Sequence, residues 1–119
     1  PTLDYPTIKS LKETKQDITS ISSTLAIDVS LGAWAVISLG AAVTTLTFSN
    51  VPASPLVFAL TLEIVQGATW GWTWPAAVKW PGGSAPTVTA SAGKKDVFTL
   101  ITRDGGSTWL GFVAGQNFA

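Results

Sequence analysis

The sequence contains neither cysteine nor histidine. Without cysteine the chain cannot form a disulfide framework, a thiolate zinc site or a cysteine nucleophile. Without histidine it lacks the commonest metal ligand and the side chain that most often acts as a general base. We therefore expect a protein that is not an enzyme and that carries no metal and no cofactor.

Charged residues are also scarce, at 12% of the 119 residues, where a soluble domain has about 25%. Seven basic residues balance seven acidic ones, so no net field attracts nucleic acid and we expect no such partner. From residue 29 to residue 78 the only charged side chain is Glu63. Strands this apolar need cover on both faces, and another copy of the same chain is the simplest cover.

A membrane-spanning helix is the alternative explanation of the uncharged segment, because residues 29–48 are long enough to cross a bilayer. Gly32 and Gly40 interrupt the segment, and its flanks lack the lysine and arginine cluster that fixes orientation. The alternation that leads into it suits a strand better than a helix. We therefore predict no membrane insertion.

Residues 7–22 are the only helix candidate. Ser10 and Glu13 fit a capping box, and apolar residues recur at helical spacing at Ile8, Leu11, Ile18 and Ile21. An extended arm explains the same segment equally well, because so short a stripe is not stable alone. In either form, these four side chains are candidates for docking onto another protein or for trimerisation. We divide the chain into this segment, residues 1–22, and a β-rich module, residues 23–119.

From residue 23 the sequence predicts short strands separated by glycine and proline turns. The strands are expected at 24–31, 33–39, 44–48, 56–65, 70–74, 87–90, 96–102 and 108–113. The last two form a hairpin around Asp104-Gly105-Gly106-Ser107, where the glycines permit positive φ angles. The pattern predicts an all-β fold, either an antiparallel sandwich or a β-prism-like module.

Four carboxylates in the β-rich part were considered for acid–base chemistry: Asp28, Glu63, Asp96 and Asp104. Asp104 is explained by its turn, and Asp96 lies beside Lys95 at a strand edge. Glu63 is alone in an apolar strand, which indicates either an outward-facing residue or an ion pair with Lys79 or Arg103 of another subunit. No pair of carboxylates suggests a catalytic site.

Five tryptophans are candidates for a glycan-stacking site or for a core or subunit interface: Trp70, Trp72, Trp74, Trp80 and Trp109. Their rings could stack on the apolar faces of sugars, with Thr73, Gln116 or Asn117 as polar partners. Bulky aromatic residues at alternate strand positions also build cores and interfaces. Both interpretations remain open, and Trp70 is expected to be the most exposed of the set.

An ordered series of motifs in the C-terminal half resembles a module of tailed-bacteriophage virion proteins, found at the ends of tail-fibre and tail-tip proteins. The motifs are TWPAAVKWPGG at 73–83, APT at 85–87, KDVF at 95–98, DGG at 104–106 and WLGFVAGQNF at 109–118. AIDVSLG at 26–32 is similar to the opening strand of that module. The resemblance covers roughly residues 24–119.

The resemblance implies an all-β module that assembles as a homotrimer and has a structural or host-attachment role on a virion, without catalysis. A tail-fibre shaft normally precedes such a module, whereas here only some 22 residues do. A fibre tip, a capsid decoration or cement spike, and a free carbohydrate-binding module therefore remain alternatives. Residues 1–22 are expected to contact other virion proteins, and the loops 81–86 and 104–107 to face outward, towards host-surface glycans.

Overall fold

The computed structural model describes residues 7–119 and has a mainly β fold, which confirms the predicted fold class. Short 3₁₀ turns lie at Val29–Leu31 and Pro81–Gly83. The strands are β1 Lys15–Ser20, β2 Thr24–Asp28, β3 Trp34–Leu39, β4 Thr45–Ser49, β5 Phe58–Gln66, β6 Val78–Lys79, β7 Lys95–Thr102 and β8 Trp109–Phe118. No helix among the described residues is long and apolar enough to cross a membrane.

The strands form two sheets, one with six strands in the order β1-β3-β5-β7-β8-β6 and one that pairs β2 with β4. Only β5 with β7 and β7 with β8 are antiparallel. The other pairings, β1 with β3, β3 with β5, β2 with β4 and β6 with β8, are parallel. The large sheet is therefore mixed and the small one parallel, whereas one of the two predicted forms is an antiparallel sandwich.

The parallel pairings arise because the first half of the chain winds between the two sheets. Odd-numbered strands β1, β3 and β5 are adjacent in the large sheet, and the intervening β2 and β4 are adjacent in the small one. Two polar side chains fix the corners of this winding. Gln16 donates to the carbonyls of Asp28 and Gly32 at 2.8 and 3.0 Å, and the buried hydroxyl of Ser20 accepts from the Gly40 N–H at 3.1 Å.

The core lies between the two sheets, on what we call the inner face of the six-stranded sheet. Alternate residues of β5 and β7 are buried there, as a strand covered on one face requires. The small sheet contributes Leu25, Ile27 and Leu46 to the same core. Trp109 is 1% exposed, and its ring centroid lies 4.9 Å from that of Phe48 in β4.

Of the two forms expected for residues 7–22, a short helix or an extended arm, the helix does not form. Residues 15–20 form β1, which pairs along its whole length with β3, so long-range pairing overrides the local apolar spacing. The segment outside the sheet is thus shorter than the predicted 1–22. We call residues 7–14, which have no regular structure, the arm; residues 1–6 of the predicted segment lie outside the described residues.

The strand predicted at residues 70–74 is also wrong, since only an isolated bridge between Val43 and Trp72 occurs there. Residues 87–90 form no strand either. The strand predicted at 24–31 ends at Asp28, whose carboxylate accepts from the Ser30 N–H at 3.0 Å and starts the 3₁₀ turn. In each case a turn or a side-chain hydrogen bond replaces the expected ladder.

The register gives the molecule two distinct ends. At the arm end lie the starts of β1, β3 and β5 and the turn at residues 103–108, because Phe58 pairs with Thr102. At the distal end lie the loop at residues 67–73 and the end of β8, because Lys95 pairs with both Val65 and Phe118. The loop 104–107 therefore lies at the same end as the arm.

Gly111 tests how tightly the sheet packs on the tryptophans. A Cβ at Gly111 would lie 2.7 Å from ring atoms of Trp80, whereas one at Gly71 would meet nothing within 4 Å. We expect Gly111→Ala to lower the free energy of unfolding by about 1–3 kcal/mol through overpacking. The matched Gly71→Ala should change it by less than about 1 kcal/mol. Urea unfolding of both variants checks this, and equal effects would contradict the close packing.

Candidate functional site

The face of the six-stranded sheet that points away from the core, which we call the outer face, has no second layer over it among residues 7–119. Register places apolar side chains from four neighbouring strands there: Trp34, Val36, Val65, Val97, Ile101, Leu110 and Phe112. Leu110 is 50% exposed and Phe112 45%. Threonines at 61 and 99 separate them. A patch of this kind is typical of a protein interface.

Glu63 lies on the outer face, where its Oε1 accepts a hydrogen bond from Trp34 Nε1 at 3.0 Å. It thus faces outward, as one of the two interpretations of this residue expected. Lys15 pairs with Asp17 on β1, and this is the only side-chain ion pair among residues 7–119. An ion pair from Glu63 to Lys79 or Arg103 of another subunit stays a prediction.

The four apolar residues of the N-terminal segment are not brought together on one stripe. Ile18 lies in β1 and packs against the core, whereas Ile8 and Leu11 in the arm and Ile21 after β1 are exposed. A strand turns successive side chains to opposite faces, so the helical spacing no longer aligns them. Of the four, Ile8 and Leu11 lie together in the arm, where both are exposed to contact with another protein.

Four of the five tryptophans singled out in the sequence pack into or against the core. Trp74 lies at the centre of one cluster, with ring centroids 5.4 Å from Trp72, 4.8 Å from Trp80 and 4.9 Å from Phe98. Its indole N–H donates to the Pro86 carbonyl at 3.0 Å. Edge-on contacts at these distances are favourable aromatic geometry. Trp109 forms a second cluster with Phe48 and Phe58.

Trp70 is the exception, with 38% of its surface exposed at the distal end. The fully buried Gln66 holds its backbone: Gln66 Nε2 donates to the Trp70 carbonyl at 2.9 Å, and Gln66 Oε1 accepts from the Trp70 N–H at 3.0 Å. On the other side, the Gly71 carbonyl accepts from the Val43 N–H at 3.0 Å. The exposed ring therefore projects from a fixed backbone.

Asp96 is a second buried polar group at the distal end. Its carboxylate accepts from the Thr89 N–H at 2.6 Å, the Asn117 N–H at 2.9 Å and Gln116 Nε2 at 3.0 Å. Burial alone would raise the pKa of Asp96, but these hydrogen bonds outweigh it and hold the pKa below its ordinary value. Asp96 thus ties the end of β8 to the loop that precedes β7.

Gln116 and Asn117 are therefore partners of Asp96 rather than of Trp70, and Thr73 donates its N–H to the Val43 carbonyl.

The other acidic candidates also have local roles. The Thr108 N–H lowers the pKa of Asp104, and the Ser30 hydroxyl lowers that of Asp28. Among residues 7–119 no three potential ligands group as a metal site. The arrangement offers surfaces for contact, not paired acids and bases.

Comparisons with protein-family models, with curated proteins and with solved structures found no match to this chain.

Asp96→Asn tests the distal network. The substitution turns an acceptor-only group into one that also presents donors to N–H groups, so we expect the free energy of unfolding at neutral pH to fall by about 2 kcal/mol. Because the pKa of Asp96 is lower in the folded chain, its stabilisation is complete above about pH 4 and is lost as the pH falls below that. The difference between wild type and variant should therefore shrink in acid.

Urea unfolding between neutral and acidic pH measures this difference. The control is Asp17→Asn, which removes an exposed ion pair with Lys15 and should cost less than about 1 kcal/mol. Equal losses for the two variants at neutral pH would contradict the role of Asp96.

Proposed function

We propose that this chain is a structural module of a tailed-bacteriophage virion that assembles as a homotrimer through the outer face. The observation that carries the proposal is the apolar outer face itself, which four strands build and no part of residues 7–119 covers. A second copy of the chain supplies a matching apolar surface. In this arrangement the module has a binding and architectural role rather than a catalytic one.

The sequence resemblance supports the number of subunits and the setting. The motifs at 73–83 and 109–118 that carry it build the packed interior and the last strand: Trp74 and Trp80 lie in the aromatic cluster, and β8 supplies Leu110 and Phe112 to the outer face. These residue types therefore have structural reasons to occur together. The phage setting rests on the resemblance alone.

Cyclic symmetry about an axis parallel to the strands would place all three arms at one end of the assembly. Ile8 and Leu11 are then available, beside Lys9 and Lys12, for contact with another virion protein. The distal end would face away from the particle. Of the two loops expected to face outward, 104–107 would then lie towards the virion, because it shares the arm end.

A carbohydrate-binding role is the second candidate function, and the exposed Trp70 is the observation that favours it. Carbohydrate binding is compatible with assembly through the outer face, because Trp70 lies at the distal end and is not part of the outer face. A capsid decoration protein would use the same outer face and arm.

Sedimentation measures the assembly directly. We expect the wild-type chain to be a trimer at micromolar concentration, and Phe112→Glu and Leu110→Glu to be monomers, because each places a charge inside the interface. Both side chains are already half exposed in one chain, so the circular dichroism of the variants should match that of the wild type.

Ile21→Glu is the matched control, because Ile21 is exposed but lies after β1 and outside the outer face. This variant should remain trimeric. A wild-type monomer at micromolar concentration, or trimeric Phe112→Glu and Leu110→Glu variants, would refute the proposed interface.

Mass spectrometry of purified particles tests the virion role. The chain should be recovered from density-gradient-purified particles of the phage that encodes it, and antibody labelling in electron micrographs should locate it on the tail or on the capsid surface. Particles that lack the chain would contradict the proposal, whatever its oligomeric state.

A further inference from the structure

We propose that Trp70 and the loop that presents it form a preorganised stacking site for a neutral pyranose ring of a host-surface glycan. The site consists of the exposed indole of Trp70 and the uncharged loop that carries it, residues 67–74. The proposal deepens the attachment role and, for the host surface, rests on the proposed function.

The loop that carries Trp70 is held by a polar side chain buried in the core. Gln66 continues the inner-face series of β5 and is 2% exposed, so its amide occupies a place in the core that an apolar side chain would otherwise fill. All of its side-chain hydrogen bonds go to backbone groups: the Trp70 N–H and carbonyl, the Ala68 N–H and the Thr89 carbonyl. A buried amide thus fixes the one loop that carries an exposed tryptophan.

Further contacts hold the loop on both sides of Trp70. A Cβ at Gly67 would lie 2.2 Å from the Leu39 carbonyl oxygen, so the loop passes directly against the end of β3. After Trp70, the Val43 backbone bonds to both Gly71 and Thr73. A ring on a fixed backbone loses little freedom when it binds, which lowers the entropic cost of association.

The chemistry of the loop favours a sugar over a lipid headgroup or a charged peptide. Residues 67–74 contain no charged side chain. Lys94 and Lys95 also lie at the distal end, but they are a pair, whereas surfaces that bind anionic lipids carry clusters of about four to eight lysine and arginine residues. An indole face matches the apolar C–H face of a pyranose, and the exposed Thr69 in the same loop offers a hydroxyl for the sugar hydroxyls. Apart from its neighbours in the chain, nothing lies within 4 Å of where a Cβ at Gly71 would be, so this part of the loop is open.

The position of the loop fits attachment. The loop lies at the distal end, whereas the arm leaves from the opposite end. In a cyclic trimer with its axis parallel to the strands, three Trp70 rings would point away from the particle together. Three weak sites on one assembly bind a repetitive polysaccharide far more tightly than one site does.

Two-dimensional ¹H–¹⁵N NMR of the intact chain tests the site, because each of the six tryptophans contributes one indole N–H signal. The probes are the methyl glycosides of β-D-glucose, β-D-galactose and α-D-mannose, at up to about 50 mM, well above a millimolar Kd. We expect at least one glycoside to shift the Trp70 signal in a saturable manner and to leave the Trp74 and Trp109 signals in place. Glycerol, a polyol without a ring, should shift none.

Leu31→Ala is the control for Trp70→Ala, because Leu31 is an exposed apolar residue that precedes β3 at the arm end, outside both the outer face and the loop that carries Trp70. Isothermal titration with the glycoside that shifts the signal should show at least a tenfold loss of affinity per subunit for Trp70→Ala and less than a twofold change for Leu31→Ala. Gln66→Leu keeps the indole but releases the loop, so it should also weaken binding. This result would identify Gln66 as a positioning residue.

The proposal is overturned if no glycoside shifts the Trp70 signal, if glycerol shifts it equally, or if Leu31→Ala weakens binding as much as Trp70→Ala does. Broadening of the Trp70 signal by phosphatidylglycerol vesicles, without a response to the glycosides, would overturn it in favour of a membrane contact. Glycoside binding by a monomeric chain would support the site and refute the trimer. A trimer that is found on the virion but binds no glycoside would support the proposed function and refute the Trp70 site.

Discussion

The large sheet has an apolar patch on its outer face, and no part of residues 7–119 covers that face as the small sheet covers the inner one. The inner face is sealed by the small sheet and by the tryptophan-rich segment, with Trp74 and Trp109 as the centres of two aromatic clusters. The outer face keeps valine, isoleucine, leucine and phenylalanine at positions where a monomer usually presents charge. A chain with so few charged residues can still fold stably, because its first half winds between the two sheets and buries one side of every long strand.

The strands that could be predicted from the sequence are those in which alternation is long and the turn is local. The alternation over 56–65 predicted β5 to within two residues at either end. The Asp104-Gly105-Gly106 turn predicted the β7–β8 hairpin, although β8 continues five residues beyond the predicted end at 113. The parallel pairings could not be predicted, because β1 and β3 are separated by a strand of the other sheet. Four apolar residues in 7–22 fit a helical spacing by chance, but residues 15–20 pair with β3 instead.

The two polar groups that organise the distal end were missed, although the sequence carries a signal for both. Gln66 follows Phe58, Leu60, Leu62 and Ile64 in the inward series, and Asp96 opens the series that continues with Phe98 and Leu100. A polar residue at a position that periodicity assigns to the core is expected to have buried partners. Those partners are loop backbones, and a sequence alone does not reveal where loops pass. The exposure of Trp70 was expected, but the amide that holds it was not.

The position of β1 has a mechanical consequence. It is the edge strand of the large sheet, and the arm leaves from the end at which β1 starts. A pull on the arm acts along the strand and loads the evenly spaced, slanted hydrogen bonds that join β1 to its parallel partner β3. Such a load is shared across the whole row instead of opening one bond after another. A module tethered by its arm would therefore resist tension in shear, the direction in which a short strand is strongest.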